Sequence, residues 1–347
     1  MKPYNWAVVG AGPAGIAALG QLLDAGVDAG DIAWIDPHFT VGDFGGLWRN
    51  VPSNTRVDLF IRFLETCKAF DYQQCTEKFA LHDLDPHKTC KLGLMADPLQ
   101  WVTNQLRKKV FSIEDYADNI VMRDRRWTVQ LRKNTSFSAK NVVLAVGAEP
   151  RQLNFSIPQM IPMQDAMDNQ RIQQHCDKNS TIAVFGSSHS AILVLRNLLE
   201  NGVKRVINFY RSPLRYAVYL GDSILFDDTG LKGSTAEWAR ECIDGQWPAG
   251  LERIYSNEEN IEHYLPQCDK AVYAVGFNRR SLPVVENLGH LAYIEECGII
   301  APGLFGAGIA FPERKMNAFG MHEYRVGLWK FMEYLRRVLP IWLKYSP

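Results

Sequence analysis

The sequence has no excess of either charge: 38 Lys and Arg balance 38 Asp and Glu. A surface that grips a nucleic-acid backbone or an anionic membrane needs clustered positive charge, so neither partner is expected. No uncharged apolar run of about 18 residues occurs, which argues against an integral membrane segment. The nearest stretch, Val326 to Tyr345, is interrupted by Lys330, Glu333, Arg336, Arg337 and Lys344. Cysteine is sparse and shows no pairing pattern. The seven, Cys67, Cys75, Cys90, Cys176, Cys242, Cys268 and Cys297, are odd in number and form no C-x-x-C. That disfavours a disulfide framework or a zinc ribbon and fits a reducing, cytoplasmic setting. The N-terminus lacks the apolar stretch and small-residue cleavage site of a secretory leader. Neither G-x-S-x-G nor H-E-x-x-H is present to suggest a hydrolase. In His82-Asp83-Leu84-Asp85-Pro86-His87 the proline forbids a regular helix, and a loop with two acids is usually solvated, so no metal is expected.

What is present is a pattern that occurs twice. At 347 residues, 47% of them hydrophobic, the chain has room for about two domains. Trp6-Ala7-Val8-Val9 is a short apolar run. A glycine loop follows, then the helical apolar pattern Ile16 to Leu23, then a second apolar run, Ile32 to Asp36. Ile120–Met122 and Trp127–Leu131, joined by a charged turn, read as a hairpin. Asn141 to Gly147 reads as a buried strand ending on glycine. The order restarts at Thr181–Phe185, with a loop, a helical stretch from Ile192 to Glu200 and the strand Val206–Arg211. Ala271-Val272-Tyr273-Ala274-Val275-Gly276 echoes Val143 to Gly147. Two strand-loop-helix-strand copies imply an α/β protein with two Rossmann-like three-layer domains.

The first loop reads Gly10-Ala11-Gly12-Pro13-Ala14-Gly15. In a G-x-G-x-x-G loop the first glycine allows the tight turn. The second lets backbone approach a pyrophosphate, and the third lets the helix pack close to the sheet. The helix N-terminus then offers N–H groups and a positive dipole end to phosphates. Asp36, ending the next strand, suits ribose hydroxyls, although it comes later than the usual spacing of about 20 residues.

These features resemble the two-dinucleotide-binding-domain flavoproteins, with their pyridine nucleotide-disulfide oxidoreductase-like fold. The resemblance is carried by Gly10–Gly15, with Pro13 typical of the FAD version. Gly45-Gly46-Leu47-Trp48, Ala145-Val146-Gly147 and Leu304-Phe305-Gly306-Ala307-Gly308 carry the rest. It implies FAD in the first domain and NAD(P)H in a second domain inserted into it. The expected bounds are 1–155 plus 285–347 for FAD and 156–284 for NAD(P)H. Gly45–Trp48 is most similar to flavin-containing and N-hydroxylating monooxygenases. Asn54, in Pro52-Ser53-Asn54-Thr55, lies where those enzymes carry an asparagine near the flavin, so the resemblance implies a catalytic role for it. The disulfide-reducing branch needs a cysteine pair, and here Trp48 stands where a cysteine is expected. Two departures stand against the monooxygenase pattern and the reductases. Ile161–Asp168 lacks the longer monooxygenase signature, and Ile309 replaces the aspartate that many reductases carry after Gly-Ala-Gly.

The second loop is Gly186-Ser187-Ser188-His189-Ser190-Ala191. Alanine in the third glycine's place is tolerable. Ser188, in the second's place, either crowds a pyrophosphate or hydrogen-bonds it. His189 either touches cofactor or substrate or is bonded locally. Arg211 ends the next strand where NAD enzymes carry an acid, and guanidinium suits a 2′-phosphate, which favours NADPH while leaving NADH open. Arg279 and Arg280, after Gly276, are further candidates for that phosphate. The aromatics Tyr216, Tyr219, Trp238 and Trp247 read as a small local core, with the lining of an apolar substrate cleft as the alternative. Tyr324, Leu328, Phe331 and Leu335 recur at helical spacing.

The expected cofactor residues are therefore Gly10, Gly12, Pro13, Ala14, Gly15, Asp36, Gly46, Leu47, Trp48, Gly147, Gly186, Ser187, Ser188, His189, Ser190, Arg211, Gly276 and Gly308. The resemblance implies an FAD-dependent NAD(P)H oxidoreductase that oxygenates a small nitrogen or sulfur nucleophile. An NAD(P)H:acceptor reductase and a flavin-binding protein with little turnover are the alternatives. The expected partner is a small-molecule substrate or electron acceptor, and a homo-oligomer stays open.

Overall fold

The computed structural model describes residues 3–347 except 158, 178, 222 and 287–291. The chain divides into two compact units. One comprises residues 1–49, 55–148 and 279–347, and the other 50–54 and 149–278.

The first unit is organised by the alternation of side chains along its strands. The strand Tyr4–Val9 pairs in parallel with Ile32–Ile35 on one side and Ser136–Leu144 on the other. Ile32–Ile35 continues to Phe111–Ile113, and Leu304–Gly306 also pairs in parallel with Ser136–Leu144. Trp6 and Val8 face one way, with Trp34, Val143 and Phe305, and are covered by helices. Those helices are Pro13–Asp24, Val57–Thr66, Leu92–Lys109 and Leu328–Trp342. Ala7 and Val9 face the other way, with Ala33, Val142 and Leu144, under the antiparallel strands Ala117–Arg123 and Arg126–Leu131. The result is three layers: helices, parallel sheet and meander.

The second unit holds a five-stranded sheet of parallel pairs. Its order is Gln159–Met160, Lys270–Tyr273, Thr181–Phe185, Arg205–Tyr210 and Leu251–Tyr255. Phe185 and Phe209 stack on one face with centroids 4.7 Å apart, and Phe155 adds to the stack. On the opposite face lies Asn208, fully buried.

The α/β class and the two strand-loop-helix repeats are present in this architecture. Two local expectations are corrected. Tyr324 does not belong to the C-terminal helix; it lies in the strand His322–Arg325, paired antiparallel with Glu313–Met316. Gly327, at φ 151°, takes a backbone shape that L-residues avoid and sets the helix start at Leu328. The insertion's aromatics do not form a core: Tyr219 is 57% and Trp247 48% exposed. Smaller side chains, Ala217, Leu231, Ala236, Ala239 and Ile243, are buried there instead.

Candidate functional site

Two glycine cradles stand at corresponding places, one in each unit. In the first, Gly10 has φ 108°, and a Cβ there would sit 2.3 Å from the Ala145 carbonyl oxygen. A Cβ on Gly15 would sit 2.0 Å from the Gly10 oxygen. These two glycines are required by the close approach of protein to protein. Gly12 is different. It caps the helix Pro13–Asp24 at an ordinary φ of −75°, and a Cβ there meets nothing within 4 Å. The space above Gly12 is open, and the first-turn N–H groups of the helix face its mouth. Pro13 in the first turn costs no donor that the helix could have used.

The surroundings of that mouth were only partly legible. Gly42 packs on Gly12, where an added Cβ would come within 3.1 Å of its Cα, and φ 57° makes glycine fitting there. Gly42 starts the short helix Gly42–Gly46, so Gly46, Leu47 and Trp48 are carried next to the loop. The Leu47 and Trp48 N–H groups both donate to the Asp43 carbonyl, at 2.8 and 3.1 Å. Gly308, at φ 81°, closes from the other side; a Cβ on it would lie 2.6 Å from Ala14 Cβ. Gly147 follows the strand Ser136–Leu144 at φ 76°, and its carbonyl accepts the Arg280 N–H at 3.2 Å. The structure thus gathers Gly10, Gly12, Pro13, Ala14, Gly15, Gly46 and Gly308 around one loop.

Asp36 has a further role that the sequence did not reveal. It is 8% exposed, and its Oδ2 accepts the Ala11 N–H at 2.7 Å. Its Oδ1 accepts the His38 and Phe39 N–H groups, at 2.9 and 2.7 Å. Three of the carboxylate's roughly four acceptor positions are used on backbone. Asp36 therefore ties the glycine loop to the end of the second strand. Trp34 adds a second tie, its Nε1 donating to the Gly10 carbonyl at 3.0 Å.

In the second cradle Gly186 has φ 126°, and a Cβ would lie 2.3 Å from the Ala274 carbonyl oxygen. Ala191 faces it at 3.1 Å, which shows why a small residue is enough in the third glycine's place. Ser188 is exposed and caps the helix His189–Glu200, yet its side chain makes no capping hydrogen bond. Ser187 and Ser190 flank it, half-buried. His189 has its Nε2 3.5 Å from Thr235 Oγ1, while Nδ1 is buried without a partner among the described residues. Burial, helped by the Lys232 charge, lowers its pKa to about 4, so the imidazole is neutral at pH 7. Gly276 follows the strand Lys270–Tyr273 at φ 97°, and an added Cβ would meet nothing within 4 Å. Arg211 is exposed just past Tyr210, with no hydrogen bond or ion pair among the described residues.

Arg279 and Arg280 are the other two candidates for the 2′-phosphate. Both belong to the first unit, where Arg279 lies over the Phe311 ring and Arg280 pairs with Asp43 at 2.7 Å. Asn54 is exposed on the strand Pro52–Arg56. Its segment, 50–54, belongs to the second unit and is anchored there by Asn50, whose Nδ2 donates to Asp168 Oδ2 at 2.9 Å. Burial pushes the Asp168 carboxyl up. The Asn50 amide, the Gln170 and Arg171 N–H groups and the Arg171 charge outweigh that and hold it below the usual range. All seven cysteines are free thiols, and burial raises Cys67 to about 12. Among the described residues, no helix is long and apolar enough to cross a membrane.

Residues 4–207 match the family described as pyridine nucleotide-disulphide oxidoreductase. Monooxygenase AgnR1 of Paecilomyces divaricatus is 34% identical over 385 aligned positions, which cover 97% of each protein. Among solved structures, an ornithine N-hydroxylase of Kutzneria sp. 744 matches with a TM-score of 0.70 at 13% identity, over 99% of both chains. A bacillithiol disulfide reductase of Staphylococcus aureus matches with a TM-score of 0.66 at 11% identity, also over 99% of both. At such identities these two likenesses are of fold.

Proposed function

This chain belongs to the pyridine nucleotide-disulphide oxidoreductase family, and we propose that it is an FAD-dependent NAD(P)H oxidoreductase of the monooxygenase type. The observation that carries this reading is the 34% identity to a protein named as a monooxygenase along 97% of both chains. The absence of a vicinal cysteine pair supports it over disulfide reduction. We assign FAD to the first unit and NADPH to the second.

The residues present fit FAD. The open face of Gly12 is the feature a bound pyrophosphate would use, while Gly10 and Gly15 keep the loop tight beneath it. Gly12, Ala14 and Gly15 would hold the pyrophosphate through backbone and helix end. Asp36 sets the loop and has one acceptor position left for a ribose hydroxyl. Gly46, Leu47, Trp48, Gly147 and Gly308 would border the rest of the cofactor. FAD, when bound, supplies two-electron chemistry between a nicotinamide and molecular oxygen. In the second unit the Ser188 hydroxyl, which makes no capping hydrogen bond, would meet a phosphate at the helix end, and Arg211, without a partner among the described residues, would clamp a 2′-phosphate. Ser187, His189, Ser190 and Gly276 complete that mouth. Asn54 would hold the reacting group through its amide. The substrate is a small nitrogen or sulfur nucleophile, and a cytoplasmic location suits the seven free thiols.

The test is stoichiometric. With a panel of primary amines, hydroxylamines and thioethers, NADPH oxidation and oxygen uptake should match the oxygenated product one to one with at least one class. Hydrogen peroxide as the sole product with every class would remove the monooxygenase assignment and leave an oxidase-like reductase. Asn54→Ala should lower product formation far more than the rate of flavin reduction; equal losses would remove its proposed role.

A further inference from the structure

The second glycine loop rests on a side chain that no sequence motif marks. Asn208, in the strand Arg205–Tyr210, is fully buried. Its Nδ2 donates both hydrogens to backbone: to the Val184 carbonyl at 3.0 Å and to the Gly186 carbonyl at 2.8 Å. Gly186 is the first glycine of the loop. The remaining amide atom, Oδ1, accepts from Arg253 Nε at 3.0 Å. Arg253 comes from the neighbouring strand Leu251–Tyr255, directly across from Asn208 in register. Its guanidinium lies 4.6 Å from the centre of the Tyr210 ring.

The chemistry of these groups fixes the amide's direction. An asparagine side chain can turn over, exchanging its acceptor for its donor. Turned over here, it would aim an oxygen at two carbonyl oxygens and an NH2 group at the Arg253 Nε–H, like against like at all three contacts. Arginine can only donate and stays charged, so its Nε–H must face the amide oxygen and not the NH2 group. Arg253 thus dictates which end of Asn208 faces the loop. We infer that Asn208 and Arg253 are a positioning pair that holds the Gly186 carbonyl, and with it the second loop, in the shape that receives a dinucleotide. This rests on the proposed nucleotide-binding role of the second unit. A second feature agrees with it: Arg253 Nη2 is buried and has no partner among the described residues. The Asp244 charge acts on this guanidinium, yet the buried Nη2 keeps a donor unused, which suits a neighbouring anion.

Two variants at one position separate orientation from bulk. In Arg253→Gln, the amide nitrogen hangs from Cδ as Nε does and can still donate to Asn208. In Arg253→Met, a methyl group takes that place. Calorimetry with NADP+ on the oxidised, FAD-loaded protein is expected to show binding at least tenfold weaker in Arg253→Met. Arg253→Gln should stay within about threefold of the unaltered protein. Backbone hydrogen exchange across residues 184–191, without nucleotide, should rise in Arg253→Met and not in Arg253→Gln. FAD content reports folding of the first unit and should stay equal. Wild-type-like binding and exchange in Arg253→Met would overturn the pair. So would an FAD-loaded Arg253→Gln as weak as Arg253→Met, and if the Met variant fails to fold, Arg253→Gln alone decides by the same tenfold criterion. If the unaltered protein binds no NADP+, the nucleotide reading fails instead, and the exchange pattern alone still decides the pair.

Discussion

Gly12 and Gly15 carry the same residue type for opposite reasons, and substitution separates them. Gly15→Ala forces a Cβ within 2.0 Å of a carbonyl oxygen, so it should destabilise the first unit and abolish FAD retention. Gly12→Ala meets nothing. It should leave the melting temperature of FAD-free protein unchanged while weakening FAD binding at least tenfold, as read by flavin fluorescence on titration. Equal FAD affinity in Gly12→Ala would place the pyrophosphate elsewhere. His189 gives a second test at this scale. Its folded pKa of about 4 lies below the usual 6.5. Between those values the unfolded chain binds the extra proton, so stability must fall as pH drops from 6.5 toward 4 and be fully present above 6.5. Urea unfolding of His189→Gln should show a shallower loss between pH 7 and pH 5 than the unaltered protein. Parallel curves would mean that His189 is not held neutral.

The turn after the second strand depends on one carboxylate. Asp36 joins the first loop, through Ala11, to His38 and Phe39. Asp36→Ala strands three backbone donors, two of them buried, for a total loss of a few kcal/mol. Denaturant unfolding should show that loss, and FAD should dissociate faster. Asp36→Asn keeps size but offers only one acceptor atom, so it should fall between. This element also shows where sequence reading stops. The strand, the loop and the acid were legible because apolar period and glycine spacing are local signals. The carboxylate's engagement with backbone was not, because it depends on how the turn at 37–39 folds back. The same holds for Gly42, whose contact with Gly12 joins segments thirty residues apart, and for Asn208, which looks like an ordinary polar residue in a strand. Tyr324 fitted helical spacing, and only the positive φ of Gly327 moved it into a hairpin.

At the scale of the whole molecule, the family and the α/β class follow from motifs spread over most of the chain. The absence of a paired-cysteine motif narrows the chemistry further. Cys67 and Cys268 are buried, and burial raises both thiols, to about 12 and about 11. Neither is a thiolate at pH 7. Alkylation of the accessible thiols in the FAD-loaded protein should therefore leave the rate of flavin reduction by NADPH within about twofold. A large loss would call for a redox thiol that the sequence pattern does not show. The neutral net charge has a physical place in this picture as well. Both cradles present backbone N–H groups and helix ends, so two anionic dinucleotides can be held without a basic surface.

The most direct measurement is anaerobic mixing of the purified, FAD-loaded protein with NADPH while the visible flavin absorption is followed. The account predicts a yellow protein that bleaches with saturable dependence on NADPH, more tightly than with NADH. Readmitted oxygen and an acceptable nucleophile should then restore the colour with formation of oxygenated product. A protein that carries no flavin, or whose flavin is reduced by neither nucleotide, would contradict it.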